Sequence, residues 1–227
     1  MAELILALDL PDGASALRLL DGLPGVRWVK VGSILMTREG PDLVDRLNQR
    51  GLSVFLDLKW HDIPNTVAGA VRAAVGAGVR MVTVHTLGGV EMMEAAAAAA
   101  GAAVTVVGVT VLTSHSAASY AAATGSSPAG IGAEAVRLAG LAKRAGLGGV
   151  VASALEVELV RQVMGPTAAV VVPGIRRVAD PSGDQARVAA PREAIAAGAS
   201  HLVIGRPVLM AADPAAAWQE FEEETLR

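Results

Sequence analysis

Short, almost uninterrupted apolar runs recur along this chain. They are Leu4-Asp9, Trp28-Gly32, Ser53-Lys59, Met81-His85, Val104-Thr110, Gly149-Ala152, Ala169-Val172 and His201-Ile204. Each is followed by a longer Ala-, Leu- and Arg-rich segment of helical length, often closed by a glycine: Gly51, Gly78, Gly101, Gly146 or Gly198. Glycine past the last periodic residue is a helix stop, and runs apolar on both faces are strands covered by helices. Eight strand–helix units without a Pro/Ser-rich linker or a charge block predict a (β/α)8 (TIM) barrel, a single domain over residues 1–227. An open doubly wound sheet is the alternative reading.

In such a barrel the C-terminal strand ends carry the site. Those ends hold Asp9, Lys30-Val31-Gly32, Asp57 and Lys59, His85, Thr110 and Thr113, Pro173-Gly174-Ile175-Arg176, and Gly205-Arg206-Pro207. The opposite ends begin with bland residues such as Gly149 and Ala169. Polar chemistry gathered at one mouth is hard to explain by stability alone.

The densest cluster is Asp57-Leu58-Lys59-Trp60-His61-Asp62-Ile63-Pro64. Alternation along a strand puts Asp57 and Lys59 on one face. Asp62 follows the strand, and Pro64 opens a helix. Charges so close in an apolar setting must find partners. They form either a structural ion pair with Asp62 as a helix N-cap, or a catalytic array.

Composition narrows the function classes. The 227 residues include no Cys, 52% hydrophobic and 3% aromatic residues, and the net charge is −3. There is no basic patch for nucleic acid or an anionic membrane. Disulfides and thiol chemistry are excluded, which fits a reducing, cytoplasmic location. Met1-Ala2-Glu3 leads straight into a strand-like run, so no signal peptide is expected. The Ala-rich stretch 95–103 is too short to span a bilayer.

The strand 7 and 8 ends suit a phosphate. Gly205 allows close backbone approach, Arg206 supplies a guanidinium, and Arg176 comes from the neighbouring loop. Residues 174–190 and 113–130 are candidate lids or simple connections. His85 either lines the site or is satisfied by backbone in the core, whereas His61, His115 and His201 read as structural or exposed. No histidine pair has metal-ligand spacing. Asp9, Asp57 and Asp62 could hold Mg²⁺, but Lys30 and Lys59 project into the same space and argue against a dication.

Asp57-x-Lys59-x-x-Asp62-Ile63-Pro64-Asn65-Thr66 resembles the signature of the orotidine 5′-phosphate decarboxylase family, bacterial type. So do Leu8-Asp9, Lys30-Val31-Gly32, Val84-His85, Val109-Thr110-Val111-Leu112-Thr113, Pro173-Gly174-Ile175-Arg176, Gly183-Asp184-Gln185 and Ile204-Gly205-Arg206-Pro207. The resemblance spans residues 4 to 214 in the family's order. Residues 175–182 and 114–127 match only loosely.

The resemblance implies conversion of orotidine 5′-monophosphate to UMP and CO₂ in pyrimidine biosynthesis, with no cofactor and no metal. It implies that Lys59 delivers the proton, that Asp57 faces the substrate carboxylate, and that Lys30 balances Asp57. Asp62, Ile63 and Thr66 would reach the partner's site in a homodimer. Asp9 and Lys30 would contact ribose hydroxyls, Thr113 the pyrimidine edge, and Arg206, the Gly205 amide and Arg176 the phosphate. Gln185 would bridge phosphate and base, with His85 and Pro173 among the substrate contacts. Two rival readings stand beside this one. The first is a Mg²⁺-dependent phosphosugar decarboxylase or aldolase sharing the Asp-x-Lys-x-x-Asp core, a group similar in that core but with Glu where this chain has Lys30. The second is a nucleotide-binding barrel without catalysis.

Overall fold

A computed structural model describes residues 2–125, 130–177 and 189–226. Eight parallel strands close into a barrel in chain order. They are Glu3–Ala7 (β1), Trp28–Gly32 (β2), Ser53–Trp60 (β3), Met81–His85 (β4), Thr105–Val109 (β5), Gly149–Val151 (β6), Ala169–Val172 (β7) and His201–Ile204 (β8). Closure comes from β1 pairing with β8, with Leu4 opposite Leu202 and Leu6 opposite Ile204. The expected barrel and the positions of its strands are therefore those observed. The doubly wound alternative fails because an open sheet would leave β1 and β8 as unpaired edges.

Strand parity divides the core. Ile5, Ala7, Phe55, Met81, Val107, Val171 and Val203 pack together as a plug. Their neighbours in sequence, such as Leu6, Val54, Leu56, Val82, Val106, Val170 and Leu202, join the larger cluster shared with the helices. Period-two alternation thus sends every second side chain into the barrel and the others outward. The strands read as continuous apolar runs because both faces are covered.

The helices stop where the sequence places its glycines. Helix Pro64–Gly76 is closed through Gly78, whose φ of 72° lies in the left-handed region that favours glycine. Pro64 occupies its first turn, where a missing N–H costs nothing. The Ala-rich stretch lies in helix Gly89–Ala100, which buries Met92, Met93, Ala96 and Ala100. Among the described residues no helix is long and apolar enough to cross a membrane.

One segment departs from its expected form. Residues 113–130 contain helix Ala117–Thr124, capped by a reciprocal pair of bonds between Ser116 and Ser119. Tyr120 anchors it, packing with Val111 and Leu138 and donating to Glu134 at 2.9 Å. The serines that suggest a loop are in fact the cap of a short helix. In the other candidate lid, residues 178–188 lie outside the described residues.

Candidate active site

The apolar plug ends in a layer of chemistry. Toward the C-terminal strand ends, two residues beyond Ala7, Phe55, Val107, Val171 and Val203, lie Asp9, Asp57, Val109, Pro173 and Gly205; Lys30 stands two beyond Trp28, and Val151 itself packs against the plug. All seven line one cavity of about 380 Å³. That volume suits a small organic ligand. Lys59, Val111, Leu112, Thr113, Gly174, Arg176 and Arg206 complete its wall, with Ala7, Phe55, Val171 and Val203 as floor.

Charges alternate across the floor. Lys30 Nζ lies 2.9 Å from Asp9 Oδ1 and 3.7 Å from Asp57 Oδ2. Lys59 Nζ donates to Asp57 Oδ1 at 2.9 Å and Oδ2 at 3.0 Å. Asp57 and Lys30 are nearly enclosed, with side chains 12% and 11% exposed, while Lys59 at 39% reaches into the opening. Each enclosed charge has an opposite neighbour, which offsets its desolvation. Gly32 makes room for this array: a Cβ there would stand 3.2 Å from Lys30 Nζ and 3.4 Å from Asp9 Oδ1.

The Asp57–Lys59 pair forms by a different route from simple strand alternation. Lys59 is the only described non-glycine residue with positive φ, at 51°. The β3–β4 register shifts there: Leu56 pairs with Val82, but Trp60 pairs with Val84. Three β3 residues therefore face Thr83 alone, a bulge that turns the lysine back over Asp57. The left-handed conformation costs about 1–2 kcal/mol, borne by the surrounding contacts.

Arg176 and Arg206 stand at the β7 and β8 side of the cavity. Arg176 is buried and its Nη1 donates to Ile175 O at 2.7 Å. The Arg176 amide bonds Ala189 O at 3.0 Å, which fixes the strand end behind it.

Of the residues singled out in the sequence, the cavity brings together Asp9, Lys30, Asp57, Lys59, Thr113, Pro173, Arg176, Gly205 and Arg206. Asp62, Ile63, Thr66 and His85 are not in its lining, and Gln185 lies outside the described residues. Asp62 is not the helix N-cap. That position is Ile63, without a side-chain cap bond, and Asp62 Oδ1 instead accepts from the Ile63 amide at 2.6 Å. Asp62, Ile63 and Thr66 are all exposed.

His85 Nδ1 accepts from the Leu87 amide at 3.3 Å, and its ring stacks on His61 at 5.6 Å. Burial, then the neighbouring His61 and Lys59, push its pKa down to about 4, so it is neutral at ordinary pH. Among the described residues no group of three His, Asp or Glu side chains is arranged to hold a metal.

Sequence reasoning missed the apolar wall of Val109, Val111, Leu112 and Val151, and it missed Thr83. Strand parity would have found Val109 and Val151, since both continue the inward parity of their strands.

Comparison with known proteins places this geometry. The sequence model of the orotidine 5′-phosphate decarboxylase / HUMPS family matches residues 2–221. The orotidine 5′-phosphate decarboxylase of Halorhodospira halophila is 52% identical over 220 residues, covering 95% of this chain and 92% of that protein. That of Alkalilimnicola ehrlichii is 51% identical over 227 residues, covering 98% and 96%. The crystal structure of orotidine 5′-phosphate decarboxylase from Lactobacillus acidophilus superposes with a TM-score of 0.87 at 34% identity, covering 100% of both chains.

Proposed function

This chain belongs to the orotidine 5′-phosphate decarboxylase family and converts orotidine 5′-monophosphate to UMP and CO₂; from that premise we propose that Lys59 is the proton donor and Asp57 its electrostatic counterpart. The observation that carries this reading is the Lys59–Asp57 contact at 2.9 Å on the floor of the cavity.

The bond between the pyrimidine carbon and its carboxylate breaks, CO₂ departs, and the electron pair stays on the ring carbon. A fixed ammonium beside that carbon stabilises the pair electrostatically and then supplies the proton. Lys59 is left neutral and regains a proton from solvent. Asp57 faces the substrate carboxylate. Two like charges about 4 Å apart repel by roughly 4 kcal/mol at an effective dielectric of about 20. Departure of CO₂ relieves that repulsion. Lys30, held by Asp9, keeps Asp57 in place.

The remaining roles follow from position. Asp9 and Lys30 meet the ribose hydroxyls, and Thr113 and Pro173 border the base. Arg206, Arg176 and the Gly205 amide hold the phosphate, whose remote binding energy stabilises the transition state. Gln185 bridges phosphate and base. The apolar wall of Val109, Val111, Leu112 and Val151 keeps water from the forming anion. His85, opposite Val109 in the β4–β5 pairing and stacked on His61, stands beside this wall.

Asp62, Ile63 and Thr66 serve the cavity of a second copy in a homodimer, working in the cytoplasm. Their exposure supports this, above all that of Ile63, an apolar side chain 66% exposed. Ile34 on the helix after β2 is another, at 61%. The lysine at position 30 favours this reaction over the Mg²⁺-dependent alternative, because its ammonium, together with that of Lys59, already balances Asp9 and Asp57. The test is loss of orotidine 5′-monophosphate absorbance with purified protein and no added metal. An inert protein that still binds UMP would instead support the non-catalytic reading.

A further inference from the structure

Seven strands contribute an inward-parity residue at this level to the cavity wall, and β4 does not. Its residue at that level is Thr83, two beyond the plug residue Met81. Thr83 is fully buried and absent from the lining. Lys59 covers it: the lysine's amide donates to Thr83 Oγ1 at 2.8 Å, and the Thr83 hydroxyl donates to Asp57 Oδ1 at 3.0 Å. One hydroxyl therefore ties together the backbone of one member of the ion pair and the carboxylate of the other.

We propose that Thr83 is a positioning residue that sets the Lys59 ammonium and the Asp57 carboxylate in their reactive geometry. The inference rests on the reading of Lys59 as proton donor. Its physical basis is the bulge. Where three β3 residues face one β4 residue, the regular ladder offers the Lys59 amide no carbonyl. An enclosed N–H without an acceptor is unfavourable, and a side-chain lysine seldom holds φ at 51° unaided. The Thr83 oxygen supplies the acceptor, and the same hydroxyl's proton fixes the rotation of Asp57.

Thr83 does not line the cavity, so its loss should act on turnover more than on binding. The experiment measures kcat and KM for orotidine 5′-monophosphate, UMP affinity and thermal midpoint in wild type, Thr83→Val, Thr83→Ala and Thr83→Ser. In Thr83→Val we expect kcat to fall about 10- to 100-fold, the cost of a misaimed reacting group. KM and UMP affinity should stay within about threefold, since uniform binding is untouched. Thr83→Ser, which restores the hydroxyl, should recover kcat to within about threefold of wild type. If Thr83→Val does not fold, Thr83→Ala is read in its place. A folded hydroxyl-free variant with wild-type kcat overturns the inference, as does a folded Ser variant no faster than Ala. Wild-type protein that binds UMP without decarboxylating removes the underlying reading instead, so the two failures are separable.

Discussion

Lys59 donates to both oxygens of Asp57, at 2.9 and 3.0 Å, from a backbone turned into the left-handed region. The pair is thus held by a bulge in β3. Lys30 extends it to Asp9, so two cations and two anions alternate over an apolar floor.

Phosphate recognition should be local. Arg206→Ala should weaken UMP by about 1.5–3 kcal/mol, the worth of a hydrogen bond to a charged group. Uridine, lacking the phosphate, should bind the variant and wild type alike in calorimetry. Equal losses for both ligands would move Arg206 away from the phosphate.

Chelation should leave the rate unchanged. Lys30 and Lys59 already provide the positive charge that a dication would bring to Asp9 and Asp57. Activity lost after EDTA treatment and restored by Mg²⁺ would return the metal-dependent alternative to consideration.

Acid should destabilise the fold partly through His85. Its folded pKa of about 4 lies below the ordinary value near 6.5. The unfolded chain therefore takes up a proton first, and stability full above about pH 6.5 is lost progressively toward about pH 4. Burial lowers His201 in the same direction, so the effect is isolated by difference. In urea titrations, the stability gap between wild type and His85→Gln should move in favour of the variant as pH falls across that window. Parallel pH dependences would contradict the neutral, half-buried histidine.

Complementation should reveal a shared site. Lys59→Ala and Asp62→Ala chains, each inactive alone, should regain about a quarter of wild-type activity per site when mixed equally. Half the dimers are then mixed, with one intact site of two. Native mass spectrometry establishes subunit exchange. Proven exchange without recovered activity would place Asp62 in its own chain's reaction.

Much of this was legible in the sequence, for reasons specific to parallel barrels. Runs such as Met81-Val82-Thr83-Val84-His85 are apolar on both faces because helices cover them, so the strands announce themselves. Residues at strand ends, such as Asp9, Lys30, Asp57 and Arg206, stand out because charge there has no packing reason. Thr83 was invisible: a single threonine in a strand is ordinary, and its meaning depends on a register shift in the neighbouring strand. The bulge itself has no sequence mark, since simple alternation already predicts that Asp57 and Lys59 meet. Ser116 and Ser119 misled in the other direction, because serine suits both loops and helix caps. His85 could have faced either way; in the fold it stacks on His61 and is not in the cavity lining.

The central claim is that Lys59 supplies the proton that completes decarboxylation. Its most direct test is turnover of orotidine 5′-monophosphate by Lys59→Ala, measured beside UMP binding by the same preparation. Lys59→Ala should form no detectable UMP, while UMP is still bound measurably through Arg206 and its neighbours. Turnover by Lys59→Ala within about tenfold of wild type, less than about 1.4 kcal/mol of transition-state stabilisation, would contradict it.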